Sequence, residues 1–112
     1  MSKGEHLGEF EQMVLLALLR LKGDAYGVTV RQEIQSRTDR RVAIGAVYAC
    51  LERLERKGYL NSTVSDPQPV PGGRSRKYFR LTRGGAAALQ SSREMMQRMA
   101  EGMAVDAELK AI

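Results

Sequence analysis

Residues 45–60 read GAVYACLERLERKGYL, and this stretch decides the fold. Together with Ile44, the apolar residues Val47, Leu51 and Leu54 recur at spacings of three and four, the pattern of a helix with one buried stripe. Gly58 follows, where a residue of left-handed conformation stops such a helix. Past Gly58 the period changes from helical to alternating, and YLNSTV at 59–64 and RKYFRLT at 76–82 each read as a strand. The polar loop between them holds all three prolines with Gly72 and Gly73, so the strands form a hairpin. A helix over 43–57 leading straight into a hairpin over 59–82 is therefore predicted.

Upstream, Phe10, Met13, Val14, Ala17, Leu18 and Leu21 share a helical stripe and predict a first helix over 8–21, ended by Gly23. Leu15, Leu16 and Leu19 lie off that stripe. The helix is apolar nearly all round and needs cover on a second face. A shorter helix is expected from about Tyr26 to Arg37, with Val28, Val30 and Ile34 buried and TDRR (38–41) as the turn into the third helix. Downstream, Phe79 and Leu81 point to the core, while Arg76, Tyr78 and Arg80 line the opposite face of the strand. Thr82 then caps a closing helix over 83–103.

That closing helix places Leu89, Ser92, Met96, Met99 and Met103 on one face, and no further element remains in the chain to cover it. Unbranched thioether side chains suit either an ordinary packing stripe or a self-complementary surface. Both readings want a second subunit. Its expected contacts are Leu15, Leu16 and Leu19 on the first helix and Leu89, Met96, Met99 and Met103 on the last.

The chain has 112 residues, 43% of them hydrophobic, and a formal charge of +5. That length supports one modest core and one domain. Residues 1–83 make up a three-helix and hairpin unit with 1–7 as a flexible arm. Residues 84–112 form the closing helix and tail of the same domain. The charge is not spread evenly: residues 37–83 hold eleven Lys or Arg against four acids, a net of +7, and the remainder is slightly acidic. A positive field confined to one half of the molecule points to an anionic partner, nucleic acid first.

Other classes drop out. The longest apolar run, MVLLALL at 13–19, is far short of the ~20 residues that a membrane span needs. No signal peptide is read either, which makes the cytoplasm the expected location. One Cys and one His cannot supply a zinc site, and no nucleophile and base stand at a recognisable spacing. No enzyme activity and no cofactor are expected. Cys50 lies near Arg53 and Lys57, which could lower its thiol pKa and make it an oxidation switch, or it is a small filler of the core.

Helix, helix, helix, two-stranded wing, long helix is the order of a winged helix-turn-helix, mainly α with a small β-hairpin. The residues that fill it resemble the PadR-like transcriptional regulators, in the short form with a single C-terminal helix. The resemblance runs through GEFEQMVLLALL, YGVTVRQEI, GAVYACLERLERKGYL and GGRSRKYFRLTRGG, roughly residues 8–90. It implies a DNA-binding transcriptional regulator, a repressor, acting as a homodimer on an imperfect inverted repeat of double-stranded DNA. The stretch 43–57 would be the recognition helix and 59–82 the wing. Some members of the family bind planar aromatic compounds between the closing helices of the dimer. A Met-lined seam could hold a small apolar effector, or dimer packing could fill it. The sequence departs from the family where Tyr26-Gly27-Val28 replaces the frequent His-Gly-Tyr, where Ala49 replaces a proline, and where Ala46 replaces a hydroxyl residue.

Opposite the Ile44, Val47, Leu51, Leu54 stripe, the third helix carries Gly45, Ala46, Ala49, Arg53 and Arg56. The smooth leading part would let the backbone sit deep in a major groove, but it lacks the Asn, Gln or Arg for bidentate bonds to bases. Specificity is then expected from thymine methyl contacts, from Arg53 and from DNA shape, with Tyr48, Arg40 and Arg41 on phosphates. Arg74, Arg76 and Lys77 of the wing would follow the backbone or reach the minor groove. The alternative function is a winged-helix protein-interaction module without DNA binding. Such a module would show apolar or acidic residues on this face, which is small or basic apart from Glu52.

Overall fold

The computed structural model describes residues 6–66 and 75–112. Its elements are α1 (Glu9–Leu21), a single 3-10 turn at Lys22–Asp24, α2 (Gly27–Thr38), α3 (Ile44–Arg56), β1 (Leu60–Val64), β2 (Lys77–Leu81), α4 (Arg83–Ala100) and α5 (Val105–Lys110). This is the mainly helical fold with an antiparallel hairpin expected of a winged helix-turn-helix.

Each boundary has a local cause. At the start of α1, Glu11 Oε1 accepts from the Gly8 N–H at 3.0 Å, satisfying a donor that the helix leaves orphaned. Thr29 Oγ1 does the same for Tyr26 N at the head of α2. Asp39, at φ 57°, closes α2 by bonding its N–H to the Gln35 carbonyl. The turn into α3 is fastened to α2, because Arg31 Nε donates to the Val42 carbonyl at 2.7 Å and Val42 N donates to Gln35 Oε1 at 3.1 Å. Gly58, at φ 83°, ends α3 as expected and starts the wing. Thr82 caps α4 by accepting from Gly85 N, and its hydroxyl donates to the Gly58 carbonyl.

The wing pairs Leu60 with Leu81, Ser62 with Phe79 and Val64 with Lys77. Phe79 N also donates to the Ala25 carbonyl at 2.9 Å, which ties β2 to the segment entering α2. Val14, Leu15, Leu18, Val30, Ile34, Val47, Leu51, Leu54, Leu60, Phe79 and Leu89 belong to one continuous buried core. At α4's entry, a Cβ on Gly85 would lie 2.1 Å from the Tyr59 carbonyl oxygen, so the absent side chain is what lets this helix seat on the wing.

Three expectations need correction. Leu15 and Leu89 do not present themselves to a second subunit, since they are 0% and 4% exposed within one chain. The reason for Leu15 is the central position of α1, whose contacts with α2, α3, β2 and α4 bury most of its apolar residues and leave Leu19 exposed and Leu16 half-buried. Val28 is not buried but exposed, because Gly27 and Val30 take the inward side of the first turn of α2 and leave Val28 lining the notch beside the wing. The closing helix ends at Ala100 instead of 103, where Gly102 at φ 81° turns the chain into α5. Cys50 is buried within α3, and burial pushes its thiol up to about 11 against the opposing pull of Arg53. Of the two readings, that shift favours the small filler over the oxidation switch.

From Arg93 onward no residue is buried. The molecule is accordingly elongated, 57 × 32 × 21 Å. Leu7, whose N–H donates to the buried Ser92 hydroxyl at 3.1 Å, clasps α4 at the point where its packed half ends.

Candidate nucleic-acid interface

Three elements converge on one face. The first turn of α2, the outer side of α3 and the start of β2 enclose a notch of about 470 Å³ lined by Tyr26, Gly27, Val28, Tyr48, Ser75, Arg76 and Lys77. Aromatic contacts shape it. The Tyr26 and Tyr78 rings meet edge to face at 5.4 Å, and the Arg76 guanidinium sits 4.6 Å from the Tyr26 centroid. Tyr78 hydrogen-bonding raises the Arg76 pKa further, so this side chain is a permanent cation held on an aromatic platform. The Tyr48 ring lies where a Cβ on Gly27 would be, so the glycine is what lets the ring take this position.

Along α3, Gly45, Ala46 and Ala49 are exposed, and Tyr48 is 44% exposed. The small leading residues leave the helix backbone open to close approach, as the sequence implied. Arg56 is exposed and forms no ion pair among the described residues. Arg41 is exposed beside Arg31 and Gln35 at the N-terminal end of the same helix. Arg74 lies outside the described residues.

The remaining expected cations are already engaged within the chain. Arg40 pairs with Glu9 and touches Met13 Sδ. Arg53 Nε and Lys57 Nζ both reach Glu11 Oε2, at 3.3 and 3.1 Å. Lys77 Nζ lies 3.1 Å from Glu55 Oε1, and Glu55 also accepts from the Ser62 hydroxyl. Strand parity explains Lys77: it shares the side of Phe79, facing α3, whereas Arg76 shares the outer side with Tyr78. Helical spacing explains Arg53, which follows Ala46 and Cys50 down the flank facing α1 instead of the outermost line.

Two carboxylates hold this arrangement. Burial pushes the Glu11 pKa up, but the Gly8 N–H, Lys57 and Arg53 outweigh it and keep the carboxyl below its ordinary range. The Ser62 hydroxyl and Lys77 lower Glu55 in the same way. Sequence reasoning missed Glu11 because it reads as one acid among several near the N-terminus, and its role arises from a partner 42 residues away. It noted Tyr26-Gly27-Val28 only as a departure from the family pattern and missed the approach of the Tyr48 ring to Gly27, which depends on how α2 and α3 pack.

Among the described residues there is no grouping of His, Cys, Asp and Glu fit to hold a metal, and no helix is long and apolar enough to cross a membrane.

Comparison with known proteins agrees with this geometry. A sequence model of the Transcriptional regulator PadR-like family matches residues 15–91. Transcriptional regulator Rv3488 of Mycobacterium tuberculosis is 39% identical over 77 residues, which cover 69% of this chain and 67% of that protein. The crystal structure of a PadR family transcription regulator from Clostridium difficile superposes with a TM-score of 0.64 at 25% identity, covering 82% of this chain and 91% of its own. F93 from STIV, a winged-helix DNA-binding protein, shares the fold at a TM-score of 0.64 and 17% identity, over 88% of this chain and 98% of its own. With the family's sequence pattern over most of its length and the winged helix-turn-helix fold in its structure, the chain belongs to the PadR-like family of transcriptional regulators.

Proposed function

We propose that the protein is a homodimeric, sequence-specific DNA-binding repressor that occupies an imperfect inverted repeat. The observation that carries this reading is the conjunction on one face of a smooth, exposed α3 start with cations that no carboxylate pairs among the described residues: Arg41, Arg56 and the platform-held Arg76. In this reading Gly45, Ala46 and Ala49 allow α3 into the major groove, and Tyr48 hydrogen-bonds a phosphate. Arg76 reaches the adjacent backbone or minor groove from the wing. Arg40, Arg53 and Lys77, tied to Glu9, Glu11 and Glu55, contribute less than their charge suggests. The exposed arm of α4 and α5 joins two copies, with Met96, Met99 and Met103 and the exposed Leu19 and half-buried Leu16 of α1 as its apolar surface.

A two-fold dimer would put its α3 helices into successive major grooves about 34 Å apart, giving half-site centres ~10 bp apart. Genome-wide recovery of bound DNA, followed by mobility shifts on the recovered sites, tests this. An inverted repeat of that spacing, bound with steep salt dependence, is the expected result. Binding that is indifferent to salt, or no enrichment of any site, would remove the reading.

A further inference from the structure

The four glutamates of α1 and α3 fall into two groups. Glu9, Glu11 and Glu55 are each neutralised by a cation of the same chain. Glu52 is not. It is exposed, and among the described residues no hydrogen bond or ion pair engages it. It also occupies the outermost line of α3, because Gly45, Ala49, Glu52 and Arg56 succeed one another at spacings of four, three and four, directly opposite the Val47, Leu51, Leu54 stripe. Arg56 stands four residues on, the favourable orientation for a helical ion pair. That pair is not formed here.

An unpaired carboxylate at the middle of a surface that meets a polyanion costs affinity on every sequence unless a donor awaits it. Phosphates offer none. On base edges in the major groove the donors are the amino groups of cytosine and adenine. Adenine sets its N7 acceptor beside the amino group, where its lone pair opposes a carboxylate, while cytosine presents the N4 amino group alone. Gly45 and Ala49, two turns and one turn earlier on the same line, carry too little side chain to hold Glu52 away from the base edges.

We infer that Glu52 is a specificity-determining residue of this regulator, accepting a hydrogen bond from cytosine N4 at one position of each half-site and penalising sequences without it. The inference rests on the DNA-binding reading above. It replaces Arg53, which Glu11 draws to the flank, as the direct reader of a base pair.

The test is selection from a pool of randomised duplexes by the full-length parent, Glu52→Gln and Glu52→Ala, with affinity measured on the selected site and on random DNA. The parent should enrich a C·G pair at one position of each half-site, and replacing it should weaken binding about tenfold, the usual scale for one mismatched pair. Glu52→Ala should lose that preference, keep the others and bind random DNA more tightly. Glu52→Gln should shift the same position towards adenine, which an amide reads through N6 and N7. Because Glu52 is exposed, either change should leave the fold intact. If both variants enrich the parent's motif unchanged, Glu52 stays outside the groove and the inference is overturned. If the parent itself enriches nothing, the DNA-binding reading fails and this inference goes with it. The two failures are distinct in the parent's own lane.

Discussion

A Cβ built on Gly27 falls 2.3 Å from Cε1 of the Tyr48 ring, so the first turn of α2 and the middle of α3 fit together only because residue 27 has no side chain. The obstructing atoms are the far end of a half-exposed side chain that can swing aside. Gly27→Ala should therefore cost little stability, within about 1 kcal/mol, since alanine also favours the helix. It should nevertheless displace Tyr48 from the notch and weaken operator binding. Thermal melts alongside mobility shifts check this: a folded variant with full affinity would mean that the position of the Tyr48 ring is irrelevant to binding.

Gly85 behaves oppositely. Its hypothetical Cβ meets the Tyr59 carbonyl oxygen at 2.1 Å and the Tyr59 carbonyl carbon at 3.0 Å, backbone atoms that cannot move without disturbing the wing. Gly85→Ala should destabilise the fold by about 1–3 kcal/mol, the range for overpacking a tight contact. Gly84→Ala, whose new atom would make only ordinary contacts with its nearest neighbour at 3.6 Å, is the control and should be near neutral. Urea unfolding of the pair separates them.

Glu11 gives the protein an acid-sensitive tie between α1 and the end of α3. Although burial alone would raise its pKa, the Gly8 N–H with Lys57 and Arg53 holds the carboxyl below its ordinary value of 4.5. The folded state therefore favours the ionised form. That stabilisation is complete above the unfolded value and is lost as pH falls through the depressed folded value. Glu11→Gln should cost about 1–2 kcal/mol at neutral pH. It should also flatten the acid limb of stability as pH falls below about 4.5, the ordinary value of the carboxyl. Equal pH dependence in parent and variant would show that other groups carry the acid transition.

The elements were legible because their signals are local. The Val47, Leu51, Leu54 stripe, Gly58 and the alternation around Phe79 each declare themselves within a few residues, and Thr82 caps α4 where a hydroxyl was expected to. The division of the basic residues was not legible. Whether Arg53 faces a partner or Glu11, and whether Lys77 faces solvent or Glu55, depends on which helix lies alongside, and that is a tertiary fact. Leu15 failed for the same reason, since an off-stripe leucine on α1 reads as surplus until α4 and β2 are known to cover that side. Cys50 shows the limit of charge proximity as a guide: Arg53 and Lys57 do pull its thiol down, but desolvation is larger and wins.

The dimer is best tested at the arm. Met96, Met99 and Met103 are 61%, 74% and 53% exposed, and Leu109 and Ile112 beyond them are exposed as well. A run of apolar side chains this open, beyond which no residue is buried among the described residues, is the observation that supports the proposed contact with another copy. Met96→Glu with Met99→Glu should leave the melting curve of the winged unit nearly unchanged, because neither residue is buried in the subunit. Sedimentation at micromolar concentration should show the parent as a dimer and this variant as a monomer. Leu15→Ala is the contrasting case. It removes a fully buried side chain and should cost about 2–5 kcal/mol of stability, with any change in association following from unfolding. The monomeric Met variant should also lose most of its operator affinity while binding a single half-site as the parent's subunit does, because two linked half-site contacts act together only while the arms hold the subunits side by side. A Met96→Glu, Met99→Glu protein that stays dimeric would place the subunit contact elsewhere, with the exposed Leu19 of α1 the next position to charge.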